Sequence, residues 1–374
     1  MSYLLSVIIP TRNRQQYCIA AVKQIISLGL DIEICVQDNS DKNTLQYEFQ
    51  DLKNVKYHYY DGVLSFVNNF SEAVSLASGE YVCMIGDDDG VLPNIISVTK
   101  YLKNNDIDAF IPGLNNIYFW PSSNPICEMY RTGCLIEKKR SNTLTTINPK
   151  AELYRLLRHG ALNYLDFDLP RLYHGLVKRA TLEEIKDKTG YYFGGLTPDI
   201  YMAVALSFVT KKVLKVNFPV TIPGICPTSG SSDSATGKHT GELKDAPHFR
   251  GHDNYVWESS IPAFYSVETI WAETCVKAIK DFDSSLMCSF CLKPLYNKCL
   301  ELYPQFSSTI RESATKNNVS ISRNIIKKGN NIKLKIIINK IINRIKNGKP
   351  VIYTEVADIE KAVNLVKLNY IKEK

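Results

Sequence analysis

Three aspartates stand in a row, Asp87-Asp88-Asp89, directly after the apolar run Val82-Cys83-Met84-Ile85. Adjacent carboxylates repel one another, and holding them at the end of a buried strand is costly unless a cation joins them. Hard divalent ions take oxygen ligands and bridge carboxylates to phosphates, so the triad points to a divalent-cation site beside a phosphorylated ligand. The plainer alternative is a solvated acidic surface turn, and on either reading the loss of Asp89 is expected to leave the fold intact. A second acidic turn, Gln37-Asp38-Asn39-Ser40-Asp41, closes another apolar run at Ile32–Val36.

These turns need a frame. Leu4–Ile9 is a continuous run of branched residues stopped by Pro10, the pattern of a strand buried on both faces of a parallel sheet. Ile32–Val36, Val55–Tyr60 and Tyr81–Ile85 are the next predicted strands, and Ala109–Pro112 a further one. Helical spacing over Gln15–Leu28, Phe66–Ala77 and Pro93–Leu102 fills the gaps. Strand and helix alternate from residue 4 to about 112, which predicts an α/β layered domain with a mostly parallel sheet flanked by helices. Ligands bind such sheets at the carboxyl ends of the strands, where both acidic turns fall. Beyond an irregular stretch at 115–148, helices are predicted at Ala151–His159, Thr181–Lys188 and Pro198–Val209, and strands at Gly175–Lys178 and Val213–Val216. Residues 224–252 are rich in Gly, Ser, Thr, Asp and His and predict a long binding loop or lid. From Tyr255 to Lys374 only helix is predicted.

Ser6-Val7-Ile8-Ile9-Pro10-Thr11-Arg12-Asn13-Arg14 resembles the opening strand and turn of the family 2 glycosyltransferases, of the GT-A fold. Val36-Gln37-Asp38-Asn39-Ser40-Asp41 is similar to their nucleotide-binding turn. Ala77-Ser78-Gly79-Glu80-Tyr81-Val82, followed by the triad and Leu92-Pro93, is similar to their metal-site block. The resemblance is specific over residues 4 to 103 and looser to about 230. It implies a nucleotide-sugar-binding half (1–112) and an acceptor-binding half (113–254) with the flexible loop 224–252, and it does not cover the helical C-terminal region read at 255–374. It further implies that Pro10, Thr11, Arg12 and Asp38 hold the nucleotide, with Asp87 and Asp88 near the donor. Asp87 and Asp89 would form the D-x-D that binds Mn²⁺ or Mg²⁺. The first position of the family's longer pattern falls on Gly86, which leaves open which two aspartates touch the metal. Asp199 takes the place of the family's general base, which removes the acceptor hydroxyl's proton. Taken alone, Thr197-Pro198-Asp199 is equally an ordinary helix start. His239 would complete the metal shell, in competition with His248 and His252 or as a plain exposed loop histidine, and Lys238 would face the diphosphate. The implied activity is inverting transfer of a sugar from a nucleotide diphosphate, most simply UDP, to a glycan or lipid-linked glycan of bacterial O-antigen or capsule.

Composition narrows the alternatives. With 45% apolar and 22% charged residues, the 374-residue chain is neither disordered nor fibrous. The net charge of +7 hides an uneven distribution. Lys316 to Lys349 supply ten basic residues with no acid among them, so the rest of the chain carries about −3. Within that window, residues 323–349 hold an isoleucine stripe from Ile332 to Ile345 bordered by lysines. Such a helix suits an anionic membrane surface, or packs on the main body with a solvated edge. Nucleic acid is not expected, because no binding motif accompanies the charge. The ten cysteines show no zinc or disulfide spacing, the start lacks a signal peptide, and no apolar run spans a membrane, so a cytoplasmic protein, at most peripheral on the inner face, is expected. A sugar nucleotidyltransferase would want a Gly-rich basic loop after the first strand, where Pro10-Thr11-Arg12-Asn13 stands. A degenerate, membrane-tethered binding protein is the remaining alternative, against which the intact triad argues.

Overall fold

The computed structural model describes residues 3–123, 130–229, 239–252, 254–321 and 349–372. The first half alternates as expected: β1 (Leu5–Thr11), α1 (Gln15–Ser27), β2 (Glu33–Asp38), α2 (Gln46–Phe49), β3 (Val55–Tyr59), α3 (Phe66–Ser75), β4 (Tyr81–Met84), β5 (Gly90–Val91), α4 (Ile95–Asn104) and β6 (Ala109–Ile111). Then come β7 (Asn116–Phe119), β8 (Cys134–Glu137), β9 (Ser141–Ile147), α5 (Pro149–Arg158), β10 (Leu176–Lys178), α6 (Arg179–Thr189), α7 (Pro198–Val209) and β11 (Val213–Asn217). The short strands β12 (Thr221–Ile222), β13 (Gly224–Ile225), β14 (Thr240–Gly241) and β15 (Tyr265–Ser266) lead into α8 (Val267–Phe282), α9 (Leu292–Leu302) and α10 (Ser307–Lys316). The last elements are β16 (Val351–Thr354) and α11 (Ile359–Lys372).

Eight strands form one sheet in the order β3-β2-β1-β4-β10-β6-β11-β9. β3, β2, β1 and β4 pair in parallel, and β10 is inserted antiparallel between β4 and β6. Burial on both faces explains the unbroken apolar runs of β1, β2 and β4. Val7, Ile9, Ile34, Val36 and Cys83 pack with Cys18, Val22 and Ile25 of α1. The alternate residues Ile8, Cys35, Val82 and Met84 pack with Val67, Ala73 and Val74 of α3 and with α7. This is the α/β arrangement read from the sequence, with the carboxyl ends of β2, β1 and β4 side by side.

Two expectations are corrected. Helix does not begin at Tyr255, because a capping box at Ser266 sets the start of α8. There the Ser266 hydroxyl accepts from the Thr269 N–H at 3.1 Å, and the Thr269 hydroxyl accepts from the Ser266 N–H at 3.0 Å. Nor is the end of the chain a purely helical extension. β16 pairs antiparallel with β8, over two hundred residues earlier, and Val356, Ile359, Ala362, Val363 and Val366 bury against Leu92, Tyr118 and Trp120. Residues 349–372 therefore cover the flank of the acidic turn. The isoleucine stripe of the tail lies outside the described residues, and among those described no helix is long and apolar enough to cross a membrane.

Glu33 ties three parts of the sheet together. Its buried carboxylate accepts from Ser6 Oγ at 2.5 Å and from Ser78 N and Oγ at 2.7 and 2.6 Å, and pairs with Lys56 at 2.6 Å. Burial alone would raise its pKa, but the bonds from Lys56, Ser6 and Ser78 outweigh that and hold it at about 2. A folded pKa below the ordinary 4.5 stabilises fully above that value and is lost as pH falls toward about 2. Urea titrations across that window should show stability falling more steeply in the native protein than in Glu33→Gln. At neutral pH the variant should be less stable by about 1–3 kcal/mol.

Candidate active site

Strand pairing puts Thr11, the last residue of β1, beside Asp38, the last of β2. Asn13 adopts φ 55°, and its backbone N–H donates to Ser40 Oγ at 2.8 Å. Its side chain donates to Asp41 Oδ2 and accepts from Asp41 N, both at 2.9 Å, so the two turns are clasped together. Arg12 stays exposed, 3.3 Å from Asp41. Asp38 is buried and accepts from Ser40 N at 2.8 Å and from the Tyr57 hydroxyl at 2.9 Å. Pro10, Thr11, Arg12 and Asp38 are thus gathered in one place.

Next to them, the three aspartates separate in role. Asp87 is fully buried and accepts from Thr11 Oγ1 at 2.6 Å and Arg14 Nε at 3.1 Å, and it also forms an ion pair with Arg14 Nη2. Asp88 Oδ2 accepts from Cys226 N at 3.0 Å and lies 3.6 Å from Arg14 Nη1. Asp89 is turned inward: Oδ2 accepts from Gly86 N at 2.6 Å and the Tyr173 hydroxyl at 3.2 Å, and Oδ1 from Gly224 N at 2.6 Å. Burial raises Asp87 to about 7, opposed by Arg14 and assisted by the charge of Asp88. Burial also raises Asp88, and it lifts Asp89 to about 6 against the Gly224 and Gly86 N–H donors. Burial works against the charge of Arg14, yet Asp87 and Asp88 outweigh it and keep the guanidinium protonated. His174, at φ 61°, lies 3.4 Å from Asp89 and is kept neutral by burial, at a pKa of about 3.

Asp199 sits in the first turn of α7, where its Oδ2 accepts from the buried Tyr164 hydroxyl at 2.8 Å. Burial raises its pKa, and the Tyr164 bond opposes the rise. Tyr164 is packed edge-on against Trp271 at 4.8 Å. The charge of Arg171 acts on both Tyr164 and His174, opposing the rise of the Tyr164 hydroxyl and adding to the lowering of His174.

The metal set expected from the sequence is not assembled as such. His239 packs on the rings of Tyr265 and His248, at 5.4 and 5.9 Å. Among the described residues no group of three or more His, Cys, Asp or Glu side chains is placed to hold a metal ion. Lys238 lies outside the described residues. Within the triad, two carboxylate oxygens accept no hydrogen bond from described residues: Asp87 Oδ1, which faces Arg14 Nη2 in the ion pair, and Asp88 Oδ1, beside Gly86, where an added Cβ would come within 3.1 Å of it. Arg14 carried a signal, since it ends the motif run. Tyr164, Arg171, Tyr173, His174 and the backbone of Gly224 and Cys226 carried none, because tertiary contact alone brings them in.

Residues 6–151 match the family described as Glycosyl transferase family 2. This segment belongs to glycosyl transferase family 2. The chain is 25% identical over 159 residues to the abequosyltransferase RfbV of Salmonella typhimurium, an overlap of 40% of this chain and 43% of the relative. It is 33% identical over 115 residues to the GalNAc(5)-diNAcBac-PP-undecaprenol beta-1,3-glucosyltransferase of Campylobacter jejuni, covering 29% of this chain and 37% of that one. The chain spans less than half the length of either curated relative. Among solved structures, S. aureus TarS 1-349 in complex with UDP-GlcNAc aligns with a TM-score of 0.48 and 13% identity over 80% of this chain and 74% of that chain.

The family 2 domain thus keeps Asp89 as an anchor for two backbone N–H groups, not as a surface-turn residue. Asp89→Ala should leave the Gly86 and Gly224 N–H groups buried without acceptors, at a cost of about 3 kcal/mol. Chemical denaturation checks this, and a stability equal to that of the native protein would return the triad to a plain acidic turn.

Proposed function

We propose that the protein is a glycosyltransferase that moves a sugar from a nucleotide diphosphate, UDP in the simplest case, to a hydroxyl of a glycan in bacterial surface-polysaccharide synthesis. The observation that carries this reading is the convergence of Thr11, Asp38, Asp87 and Asp88 at adjacent strand ends of a family 2 domain. In this reading the Asp38 pocket takes the nucleotide base, and Arg12 lies at its rim. Asp88, through its free oxygen, and Asp87 would hold a Mn²⁺ or Mg²⁺ ion. One or two carboxylates plus substrate phosphates are a sufficient set for such ions, which would offset negative charge on the departing diphosphate when bound. Arg171 has no hydrogen bond or ion pair among the described residues, and its guanidinium is available to a phosphate oxygen.

Asp199 then accepts the proton of the acceptor hydroxyl as that oxygen attacks the sugar from the face opposite the leaving diphosphate, which inverts the anomeric centre. Its raised pKa strengthens it as a base, and Tyr164 fixes the orientation of the carboxylate. The abequosyl- and glucosyltransferase relatives support the polysaccharide setting. A role at the cytoplasmic face of a membrane fits the same setting.

Asp199→Asn should bind the nucleotide sugar as the native enzyme does and lose about 10²–10⁴ in turnover. The native rate should rise with pH through the Asp199 titration, and the variant should lack that limb. Donor turnover with and without Mn²⁺ and calorimetric donor binding check both halves. Near-native turnover of the variant would reduce Asp199 to a helix-start residue.

A further inference from the structure

A cavity of about 520 Å³ lies between residues 254–259 and one face of α8. Its walls include Tyr255, Trp257, Glu258, Glu273, Lys277 and Lys280. The volume falls within the usual range for small-molecule sites. The cavity is separate from the Thr11–Asp38–Asp87 cluster and lies outside the segment matched to family 2.

Glu273 is the informative wall residue. It is 2% exposed. Its Oε1 accepts from the Tyr255 hydroxyl at 2.5 Å, while its buried Oε2 has no hydrogen-bond partner among the described residues. A buried carboxylate oxygen left unpaired is costly, so the arrangement suits a donor that arrives with a ligand. The charged groups around it are already matched. Lys280 pairs with Glu258, and Lys277 pairs with Asp281 and donates to the Tyr191 hydroxyl at 2.8 Å. An incoming amine would meet two lysines and an incoming acid two glutamates. Burial brings Glu273 to about 7, which lowers its mean charge at neutral pH. What the cavity offers is one free acceptor and two aromatic side chains. Trp257 is fixed by donation from its Nε1 to the Ile261 carbonyl at 3.0 Å. That combination matches a neutral polyhydroxylated ring, with a hydroxyl to donate and a C–H face to lay on an indole.

The cavity also lies close along α8 to the proposed base. Thr274 Oγ1 accepts from Leu196 N at 3.1 Å and Thr197 N at 3.3 Å, just before α7, and Trp271 packs on Tyr164. Glu273 stands between these two residues in sequence, so the cavity wall and the residues that support the base share one turn of α8. We propose that this cavity is a subsite for a neutral sugar ring of the acceptor glycan, with a ring hydroxyl donating to Glu273 Oε2 and the ring face against Trp257. This rests on the glycosyltransferase reading for the identity of the glycan as acceptor, though not for the binding itself.

The test uses full-length protein labelled with 5-fluorotryptophan, whose three indoles give three ¹⁹F signals, that of Trp257 being assigned with Trp257→Phe. The probes are the methyl glycosides of glucose, galactose and N-acetylglucosamine, with methylamine and acetate as charged controls. At least one glycoside should shift the Trp257 signal saturably while both controls leave it unmoved. Glu273→Leu should weaken that binding about tenfold or more. Glu273→Gln, which keeps an acceptor oxygen and guards against misfolding of the leucine variant, should weaken it less. Failure of every glycoside to shift Trp257, a response to the charged probes only, or undiminished binding by a folded Glu273→Leu protein would overturn the subsite. UDP with Mn²⁺ is titrated into the same sample. Glycoside binding without nucleotide binding would sink the donor reading alone, and the reverse would sink the cavity alone.

Discussion

Burying three consecutive carboxylates at the end of a strand is the constraint around which this molecule is arranged. Left to themselves they would protonate or unfold the turn. The fold answers each differently. Asp87 receives a guanidinium and a hydroxyl, from Arg14 and Thr11. Asp89 receives two backbone N–H groups and a phenol. Asp88 receives one backbone N–H on one oxygen and keeps the other free. Asp88 Oδ1, and Asp87 Oδ1 beside its ion pair with Arg14, accept no hydrogen bond from described residues, whereas both oxygens of Asp89 are taken. The grading follows from the turn between β4 and β5, in which the three successive side chains meet different partners and do not serve one ion through identical contacts.

The donors that satisfy Asp88 and Asp89 come from far along the chain, and this has a structural consequence. Gly224 and Cys226 belong to the stretch after β12, and a Cβ on Gly224 would fall 1.8 Å from the Asp88 carbonyl. The same carbonyl accepts from Trp120 Nε1 at 2.8 Å. Trp120 packs in the cluster that holds α11, while Ile359 and Val363 of that helix press on Gly90. The acidic turn is therefore clamped by residues near 120, 224 and 360 together. The C-terminal segment acts less as an appendage than as one wall of this clamp.

How much of this could be read in advance follows from the range of the interactions. Strands β1, β2 and β4 were legible because a sheet buried on both faces needs uninterrupted apolar runs, and Asp38 and the triad were legible because they end such runs. Helix α7 was placed at its observed bounds, from Pro198 to Val209, by its proline start and apolar content. What stayed hidden depends on partners that sequence separation conceals. Val351–Thr354 has nothing nearby to pair with, and only the approach of β8 makes it a strand. Asp89 looks like its two neighbours in sequence, and only the backbone of Gly224 turns it into an anchor. His239 sat in a polar loop like a free ligand, yet its ring is packed with Tyr265 and His248.

The two sides of the proposed reaction rest on different parts of the chain. The nucleotide side is made by local pairing of β1, β2 and β4, inside the segment that matches the family. The base is held otherwise. Asp199 is oriented by Tyr164, which is packed by Trp271, and the start of α7 hangs on Thr274. Both of the last two residues belong to α8, well beyond residue 151. A change in α8 or its flanking segment can thus move Asp199 and the cavity beside Glu273 together while leaving the strand ends untouched. The clamp on the acidic turn sets the opposite limit, since the donor side cannot shift without disturbing Gly224 and Trp120. On the proposed reading, such a division would keep the nucleotide chemistry fixed and let acceptor recognition vary through the C-terminal helices.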